Sequence, residues 1–170
     1  MKVRDGSGGS GRFRKVATGG TFDHIHAGHE RLLAKSFEVG DHVIIGLTSD
    51  EFVAKVGKKP DYDYAAREKA LEKYVRDNFP GRKYTIAKLY DYFGPGIADA
   101  DVEALVASPE TAQRLALANN LRKEKGFAPL KLVTVEWVEA KDGKPISSTR
   151  IRAGEIDEAG NLRRPSRPGK

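Results

Sequence analysis

The N-terminal stretch that ends at His29 constrains the fold more than any other part of the chain. An apolar segment, residues 13–18, leads into Gly19 and Gly20, and a short turn then ends in a His-Ala-Gly-His tetrapeptide at residues 26–29. Glycines let the backbone approach an anion closely, and a helix that begins here directs free N–H groups toward that anion. The pattern predicts a nucleotide phosphate site between a strand and a helix.

Strand and helix patterns alternate along the rest of the chain. Continuous apolar runs such as residues 43–45 are typical of strands that are buried on both faces of a parallel sheet. The predicted strands are residues 13–18, 42–47, 84–89, 103–107 and 130–138, and the predicted helices are residues 28–39, 50–56, 64–78 and 109–125. We therefore predict an α/β fold with one Rossmann-like, doubly wound parallel sheet flanked by helices, whose ligands bind beyond the carboxyl ends of the strands.

Composition narrows the class of protein. A chain of 170 residues with 39% hydrophobic residues fits one domain with a substantial core. No apolar run approaches the ~20 residues that span a bilayer, and no apolar secretory leader follows Met1, so we expect no membrane association. The absence of cysteine excludes disulfides and thiolate metal sites and agrees with a cytoplasmic location.

The positive charge lies at the two ends of the chain. Residues 1–15 and 163–170 each carry a net charge of +4, which leaves −2 of the total of +6 for residues 16–162. We predict a flexible N-terminal arm at residues 1–11, one folded domain at residues 12–161 and a basic flexible tail at residues 162–170. The predicted arm and the predicted tail contain no aromatic residue beside their cations, so solvated ends are favoured over nucleic-acid binding.

Two motifs in a fixed order carry a family resemblance. The segment Gly-Thr-Phe-Asp at residues 20–23 and the histidine tetrapeptide precede Ile-Ser-Ser-Thr-Arg-Ile-Arg at residues 146–152, as in the HxGH nucleotidyltransferase superfamily. Four shorter segments resemble the archaeal phosphopantetheine adenylyltransferase family: residues 46–51, 93–95, 108–111 and 119–122. The resemblance extends from about residue 13 to residue 161.

This resemblance implies a reaction and its partners. The adenylyl group of ATP would be transferred to 4′-phosphopantetheine, which gives dephospho-coenzyme A and pyrophosphate. Mg²⁺ would arrive with ATP, and the archaeal-type enzymes are generally monomers. Two alternatives stay open: a sibling transferase that acts on FMN, nicotinamide mononucleotide or glycerol phosphate, and a non-catalytic module that binds nucleotides or RNA.

Adenylyl transfer requires aligned anions and stabilised charge rather than a protein nucleophile. We assign His29, at the start of the first helix, to the α- and β-phosphates of ATP, with His26 beside it. By resemblance, Lys59 neutralises the two phosphates as they approach, while Lys55 and Lys58 are weaker candidates. The close histidines also suit zinc, but no cysteine or paired carboxylate completes a tetrahedral set, so we expect no metal held by the protein.

The binding residues follow from the same motifs. By resemblance, Thr21, Lys59 and Arg67 bind the phosphate of phosphopantetheine, although Ala65 and Ala66 replace the acidic residues that are frequent before this arginine. Arg150 and Arg152 diverge by about 200° on a helix, and the resemblance favours Arg152. We expect ATP to contact Gly19, Gly20, Thr21, Phe22, His26, His29, Ser108, Glu110, Arg122, Ser147, Ser148, Thr149 and Arg152.

Overall fold

The computed structural model describes residues 11–164. Most of the predicted N-terminal arm and of the predicted C-terminal tail therefore lies outside the described residues. The strands are β1 (Phe13–Gly20), β2 (Gly40–Thr48), β3 (Lys83–Leu89), β4 (Ala104–Ala107) and β5 (Lys131–Thr134). The helices are α1 (Ala27–Val39), α2 (Asp50–Lys55), α3 (Tyr64–Asn78), α4 (Pro95–Ala98), α5 (Pro109–Ala112), α6 (Leu115–Glu124) and α7 (Ser148–Arg152).

The five strands form one parallel sheet in the order β3-β2-β1-β4-β5. The chain moves outward from β1 to β2 and β3, then crosses back and continues outward on the other side through β4 and β5. The connections on either side of β1 therefore diverge, and this switch point leaves a crevice beyond the carboxyl ends of β1 and β4. The predicted doubly wound sheet is confirmed.

The two faces of the sheet are covered by different helices. On one face, buried strand residues such as Val16 and Ile45 pack against Leu33 of α1 and Leu71 of α3. The opposite face is smaller and centres on Ala17, Ile44, Val102 and Leu130, with Leu115 of α6 packed against them. Adjacent strand residues thus point to opposite apolar layers, which explains the continuous apolar runs in the sequence.

Two predicted elements differ from the structure near the crevice. The predicted helix 109–125 is divided into α5 and α6, because a tight turn closes with a 3.0 Å hydrogen bond from Arg114 N to Thr111 O. Apolar periodicity continues through this break, so the sequence carries no signal for it. The last predicted strand, residues 130–138, pairs with β4 only from Lys131 to Thr134.

The C-terminal part of the domain has a small core of its own. Ala140, Ile146, Ile151 and Ile156 form a separate buried cluster. The ordered contacts extend beyond residue 161, because Arg163 N donates a 2.9 Å hydrogen bond to Glu155 O. Within residues 11–164, none of the helices combines the length and apolar character needed to cross a membrane.

Candidate active site

Three polar segments meet at the carboxyl edge of the sheet. Thr21 directly follows β1, and Ser108 directly follows β4. The third segment is α7, which the small C-terminal core places over the same crevice, so that Ser147, Ser148 and Thr149 line it as well. Segments that are distant in the sequence thus surround one site.

His26 caps the first helix with its imidazole. Its Nδ1 accepts hydrogen bonds from Gly28 N at 3.1 Å and from His29 N at 3.4 Å. A Cβ on Gly28 would lie 2.9 Å from Cε1 of His26, so only glycine lets the ring close over the helix terminus. Because Nδ1 accepts, the neutral ring carries its proton on Nε2. His26 therefore has a structural function in addition to its position in the cavity.

His29 stacks directly on His26. Their ring centroids are 3.8 Å apart with an interplanar angle of 19°, and the ring of Phe22 lies 4.7 Å away on a tilted plane. Nδ1 of His29 lies 3.0 Å from the carbonyl oxygen of His24 and 3.4 Å from His26 N. One neutral nitrogen cannot donate to the first and accept from the second. The shorter contact favours the tautomer with the proton on Nδ1. In that neutral tautomer, Nε2 carries no proton.

Both stacked histidines are neutral at physiological pH. Burial, with a smaller contribution from His26, lowers the pKa of His29 to about 3. Burial also lowers the pKa of His26 to about 4; repulsion from His24 adds to this effect and Glu158 opposes it. Two cations at this ring distance would repel each other strongly, so an added anion is required to charge either ring.

Two cavities open at the crevice. One cavity has a volume of about 550 Å³ and contains the two histidines, the residues of α7 and Trp137; we name it the nucleotide-side cavity after the ATP contacts that the sequence predicts. The other has a volume of about 360 Å³ and extends along α2, the loop after β3 and α5, where Phe52, Leu89 and Phe93 supply apolar walls; we name it the acceptor-side cavity after the second predicted substrate. Both are lined by the same five residues at their junction: Gly19, Gly20, Thr21, Lys58 and Glu110.

Lys58, rather than Lys59, lines both cavities. Gly57 has a φ of +77° and ends α2 in a left-handed turn, with hydrogen bonds from Gly57 N to Ala54 O and from Lys58 N to Val53 O, each 3.0 Å long. This helix-terminating turn reverses the chain and places Lys58 over the junction. The structure does not bring Lys59 to either cavity, so Lys58 replaces it as the candidate cation.

Arg67 is buried beneath the site and lines neither cavity. The side chain is completely buried, and its guanidinium donates to the carbonyl oxygens of Thr21 and Thr48 at 2.9 Å each and to Asp50 at 2.8 Å. Its Nε donates to the carbonyl oxygen of Tyr62 at 3.1 Å. These contacts fix Thr21 at the junction, so Arg67 is not available to bind a phosphate as the sequence predicted.

Arg122 also lies away from the cavities. Its buried guanidinium donates to the carbonyl oxygens of Ala128, Gly96, Asp99 and Val102 at 2.8 to 3.0 Å. Arg122 lies away from the cavities because α6 runs away from the carboxyl edge of the sheet, with a rise of about 1.5 Å per residue. The structure therefore corrects the prediction that Arg122 reaches ATP. Its charge is compensated by backbone dipoles around the loop that leads into β4.

Arg150 and Arg152 leave α7 in different directions. Arg152 lines the nucleotide-side cavity, and its Nη1 donates to the buried Asp23 carboxylate at 2.9 Å. Arg150 pairs with Asp142 and with Glu155 on the outer side of the helix. Ser147 caps the helix by accepting from Arg150 N at 3.2 Å. The side chain of Phe22 is buried in the main core and is not among the residues that line the two cavities, so a contact of ATP with the Phe22 backbone stays a prediction.

Other residues at the cavities were not among the predicted contacts. Trp137 lines the nucleotide-side cavity with 52% of its surface exposed, and a lone tryptophan after a strand gives no sequence signal for that position. Arg114 and Tyr92 line the acceptor-side cavity, with the guanidinium 3.8 Å from the ring centroid. Their pairing depends on the break between α5 and α6, which the sequence does not reveal.

The three histidines do not form one metal site. Among the described residues, Asp23, His24 and Asp61 offer ligand atoms within 4.8 Å of one another. However, both oxygens of Asp23 already accept hydrogen bonds, and His26 and His29 are used in the helix cap and the ring stack. Asp23, His24, His26 and His29 are thus already used in contacts within the protein.

Comparison with known proteins agrees with this geometry. A family model described as cytidylyltransferase-like matches residues 17–154. Phosphopantetheine adenylyltransferases from Methanopyrus kandleri and Methanothermobacter thermautotrophicus are 43% and 44% identical to the chain, cover 86% and 89% of it, and are themselves covered over 93% and 90% of their lengths.

Solved structures show the same fold. A protein of unknown function from Archaeoglobus fulgidus has a TM-score of 0.64 and 33% identity, over 71% of this chain and 88% of that one. A bifunctional NMN adenylyltransferase/ADP ribose pyrophosphatase from Francisella tularensis, at 15% identity and a TM-score of 0.56, shares the fold over 83% of this chain and 41% of its own. The chain belongs to the cytidylyltransferase-like family and, within it, groups with the archaeal phosphopantetheine adenylyltransferases.

Proposed function

We propose that this protein transfers the adenylyl group of ATP to 4′-phosphopantetheine, with dephospho-coenzyme A and pyrophosphate as products. The observation that carries the proposal is the meeting of two cavities at one glycine-lined junction: one contains the stacked histidines and the start of α7, and the other extends past Phe52 and Leu89. A reaction between two phosphates requires both reactants to reach the same point from different sides. The similarity to phosphopantetheine adenylyltransferases identifies the reactants.

The nucleotide-side cavity suits ATP. Hydroxyl groups from Ser148 and Thr149, the Arg152 guanidinium and the His29 ring offer donors to phosphate oxygens, and Ser108 adds a further hydroxyl. Trp137 presents an exposed indole surface on which a purine base can stack. The donors would thus bind the triphosphate of ATP, and Trp137 would bind its base.

The acceptor-side cavity suits a phosphate that carries a long, weakly polar arm. Ile44, Phe52, Val53 and Leu89 form apolar walls, and the glycine backbone, Thr21 and Lys58 lie at the inner end. A pantetheine arm would contact the apolar walls while its phosphate reaches the junction. The similarity to phosphopantetheine adenylyltransferases favours this acceptor over FMN and nicotinamide mononucleotide.

The transfer itself is a single displacement in this proposal. An oxygen of the phosphopantetheine phosphate attacks the α-phosphorus of ATP, and the bond from that phosphorus to the β-bridging oxygen breaks. Pyrophosphate leaves with the bonding electron pair, so no protein base or nucleophile is needed. Lys58 reduces the repulsion between the approaching phosphates, and His29 and Arg152 stabilise the charge that develops on the leaving group.

Magnesium belongs to the proposal as a component of the ATP substrate. Glu110 is the carboxylate shared by the two cavities, so it would face the ion, with phosphate oxygens and water as the remaining ligands. When bound, the ion neutralises phosphate charge. The cytoplasmic location and the monomeric state stay predictions.

The function is tested by measuring pyrophosphate release with Mg²⁺ and ATP. We expect turnover with 4′-phosphopantetheine and none with FMN, nicotinamide mononucleotide, glycerol phosphate or no acceptor. His29→Ala should lower kcat by about 100-fold or more, because it removes a donor to the charge that develops in the transition state. Turnover with another acceptor alone would contradict the assignment, and a wild-type protein that binds ATP but never releases pyrophosphate would favour a binding module.

The two neighbouring lysines give a matched pair of variants. We expect Lys58→Ala to lower kcat/KM by about 100-fold, because this side chain lies where the two phosphates meet. Lys59→Ala removes the same charge one residue away and should change kcat/KM by less than about 3-fold, as an exposed side chain outside the cavities. Steady-state kinetics of both variants decides the assignment, and a larger loss for Lys59→Ala would reverse it.

Nucleotide binding should also take up a proton at His29. In the tautomer that donates from Nδ1 to the His24 carbonyl oxygen, Nε2 can donate to a phosphate only after it gains a proton. The ring is neutral above about pH 5 in the free protein, since its pKa is about 3, and the bound triphosphate raises that pKa. The affinity for Mg·ATP should therefore fall as the pH rises from 6 to 9.

Calorimetry at pH 7.5 in two buffers of different ionisation enthalpy measures this uptake. We expect up to one proton per Mg·ATP bound to the wild-type protein. His29→Asn keeps an amide donor that does not titrate, so its uptake should be smaller by that amount. Equal uptake by the two proteins would mean that His29 binds the phosphates as a neutral ring.

A further inference from the structure

Asp23 is a buried carboxylate directly behind the junction of the two cavities. Its side chain has no exposed surface, and it follows Phe22, whose φ of +49° is the only positive value at a non-glycine residue among residues 11–164. A bulky residue adopts this conformation rarely, so the surrounding structure has to hold it. The turn places the Phe22 ring in the core and Asp23 among groups from two other segments.

Each oxygen of the carboxylate accepts hydrogen bonds from a distant segment. Oδ2 accepts from Arg152 Nη1 at 2.9 Å and from Asp61 N at 3.1 Å, and Oδ1 accepts from Tyr62 N at 3.0 Å. His24 Nε2 is farther away, 3.8 Å from Oδ2, and makes its shorter contact of 2.8 Å with Asp61. Asp23 thus connects α7 to the loop between α2 and α3.

Both connected segments carry a cation that faces the cavities. Arg152 belongs to α7 and contacts Thr149 Oγ1 at 3.3 Å through Nη2, which leaves its other N–H groups for the cavity. The loop that ends at Tyr62 begins with Lys58 at the junction. One carboxylate therefore holds both segments that carry these cations. In the proposed reaction, Arg152 stabilises the leaving pyrophosphate and Lys58 reduces the repulsion between the approaching phosphates.

We propose that Asp23 is a positioning residue that holds Arg152 and the Lys58 loop in the relative geometry needed for phosphate transfer. The inference rests on the function proposed above and deepens it. Asp23 lines neither cavity, so it would act through Arg152 and through the backbone of Asp61 and Tyr62. A guanidinium fixed along one edge loses less freedom when its remaining donors bind a phosphate.

Asparagine is the informative substitution at this position. Both carboxylate oxygens accept and neither donates, so an amide of the same size must place its NH₂ group against at least one donor. Asp23→Asn therefore disrupts the connection without a change in volume. It also removes a negative charge near an anion site, which by itself would strengthen the binding of ATP. If Asp23 positions Arg152, Asp23→Asn should weaken the binding of ATP. If only the charge of Asp23 matters, the same substitution should strengthen it.

The test compares Asp23→Asn, Arg152→Ala and the double variant by calorimetric titration with Mg·ATP. We expect each single variant to raise the Kd by about 10-fold, and the double variant to bind only slightly more weakly than either, because both changes remove one connection. Asp142→Asn is the matched control, since it breaks the Arg150 ion pair on the same helix outside the cavities. It should leave the Kd unchanged.

Steady-state kinetics separates the effect of Asp23 on α7 from its effect on the loop that contains Lys58. Asp23→Asn should raise the KM for 4′-phosphopantetheine by about 5-fold, whereas Arg152→Ala should leave it unchanged, because only the carboxylate also anchors the loop of Lys58. If Asp23→Asn does not fold, Arg152→Lys takes its place in the titration. This variant keeps the charge but loses the planar contact with Asp23, and we expect weaker binding of Mg·ATP.

Three results would overturn the inference. The first is that Asp23→Asn binds Mg·ATP as tightly as the wild-type protein or more tightly. The second is that the effects of the two single variants multiply in the double variant, and the third is that Arg152→Lys binds like the wild-type protein. Failure of the proposed function would instead leave the wild-type protein without turnover, while the titrations still measure the role of Asp23.

Discussion

The position of β1 between β2 and β4 is the constraint on which the rest of the site depends. The chain leaves β1 toward one side of the sheet and later returns to its other side, so two loops diverge above neighbouring strand ends. Gly19, Gly20 and Thr21 lie where these loops separate, and these three residues line both cavities. A reaction that joins two phosphates needs this geometry, because the reactants enter from different sides and meet above one strand.

The arginines illustrate how one residue type serves two purposes in this domain. Arg67 and Arg122 are fully buried, and backbone carbonyl oxygens supply most of their acceptors. Burial of a guanidinium is costly unless its donors are satisfied, so these side chains fix the loops around them. Arg152 keeps part of its guanidinium at the cavity, where an anion can complete its contacts. Fixed loops and an accessible cation together pre-organise the phosphate site.

The sequence predicted the sheet and the long helices because both depend on local patterns. These are the periodic spacing of apolar residues and the residues that end helices. The residues of α3 match the prediction at both ends, and the phosphate-side segments at Gly19, His29 and Ser147 do meet at one crevice. The differences concern properties that depend on three-dimensional direction. Arg122 lies away from the cavities because α6 runs away from the carboxyl edge of the sheet, and Lys58 rather than Lys59 lines both cavities after the left-handed turn at Gly57. The pairing of Asp23 with Arg152 joins residues 129 positions apart, and no local pattern encodes it.

The central claim is that both substrates occupy adjoining cavities and react in one direct displacement. The most direct test uses one diastereomer of ATP that carries sulfur on the α-phosphorus, with 4′-phosphopantetheine as acceptor. The configuration at phosphorus in the product then reports the number of displacements. We expect inversion, because the acceptor phosphate attacks opposite the departing pyrophosphate across the Thr21 and Lys58 junction. Retention would contradict it, since two displacements require an adenylylated protein group such as His29 between them.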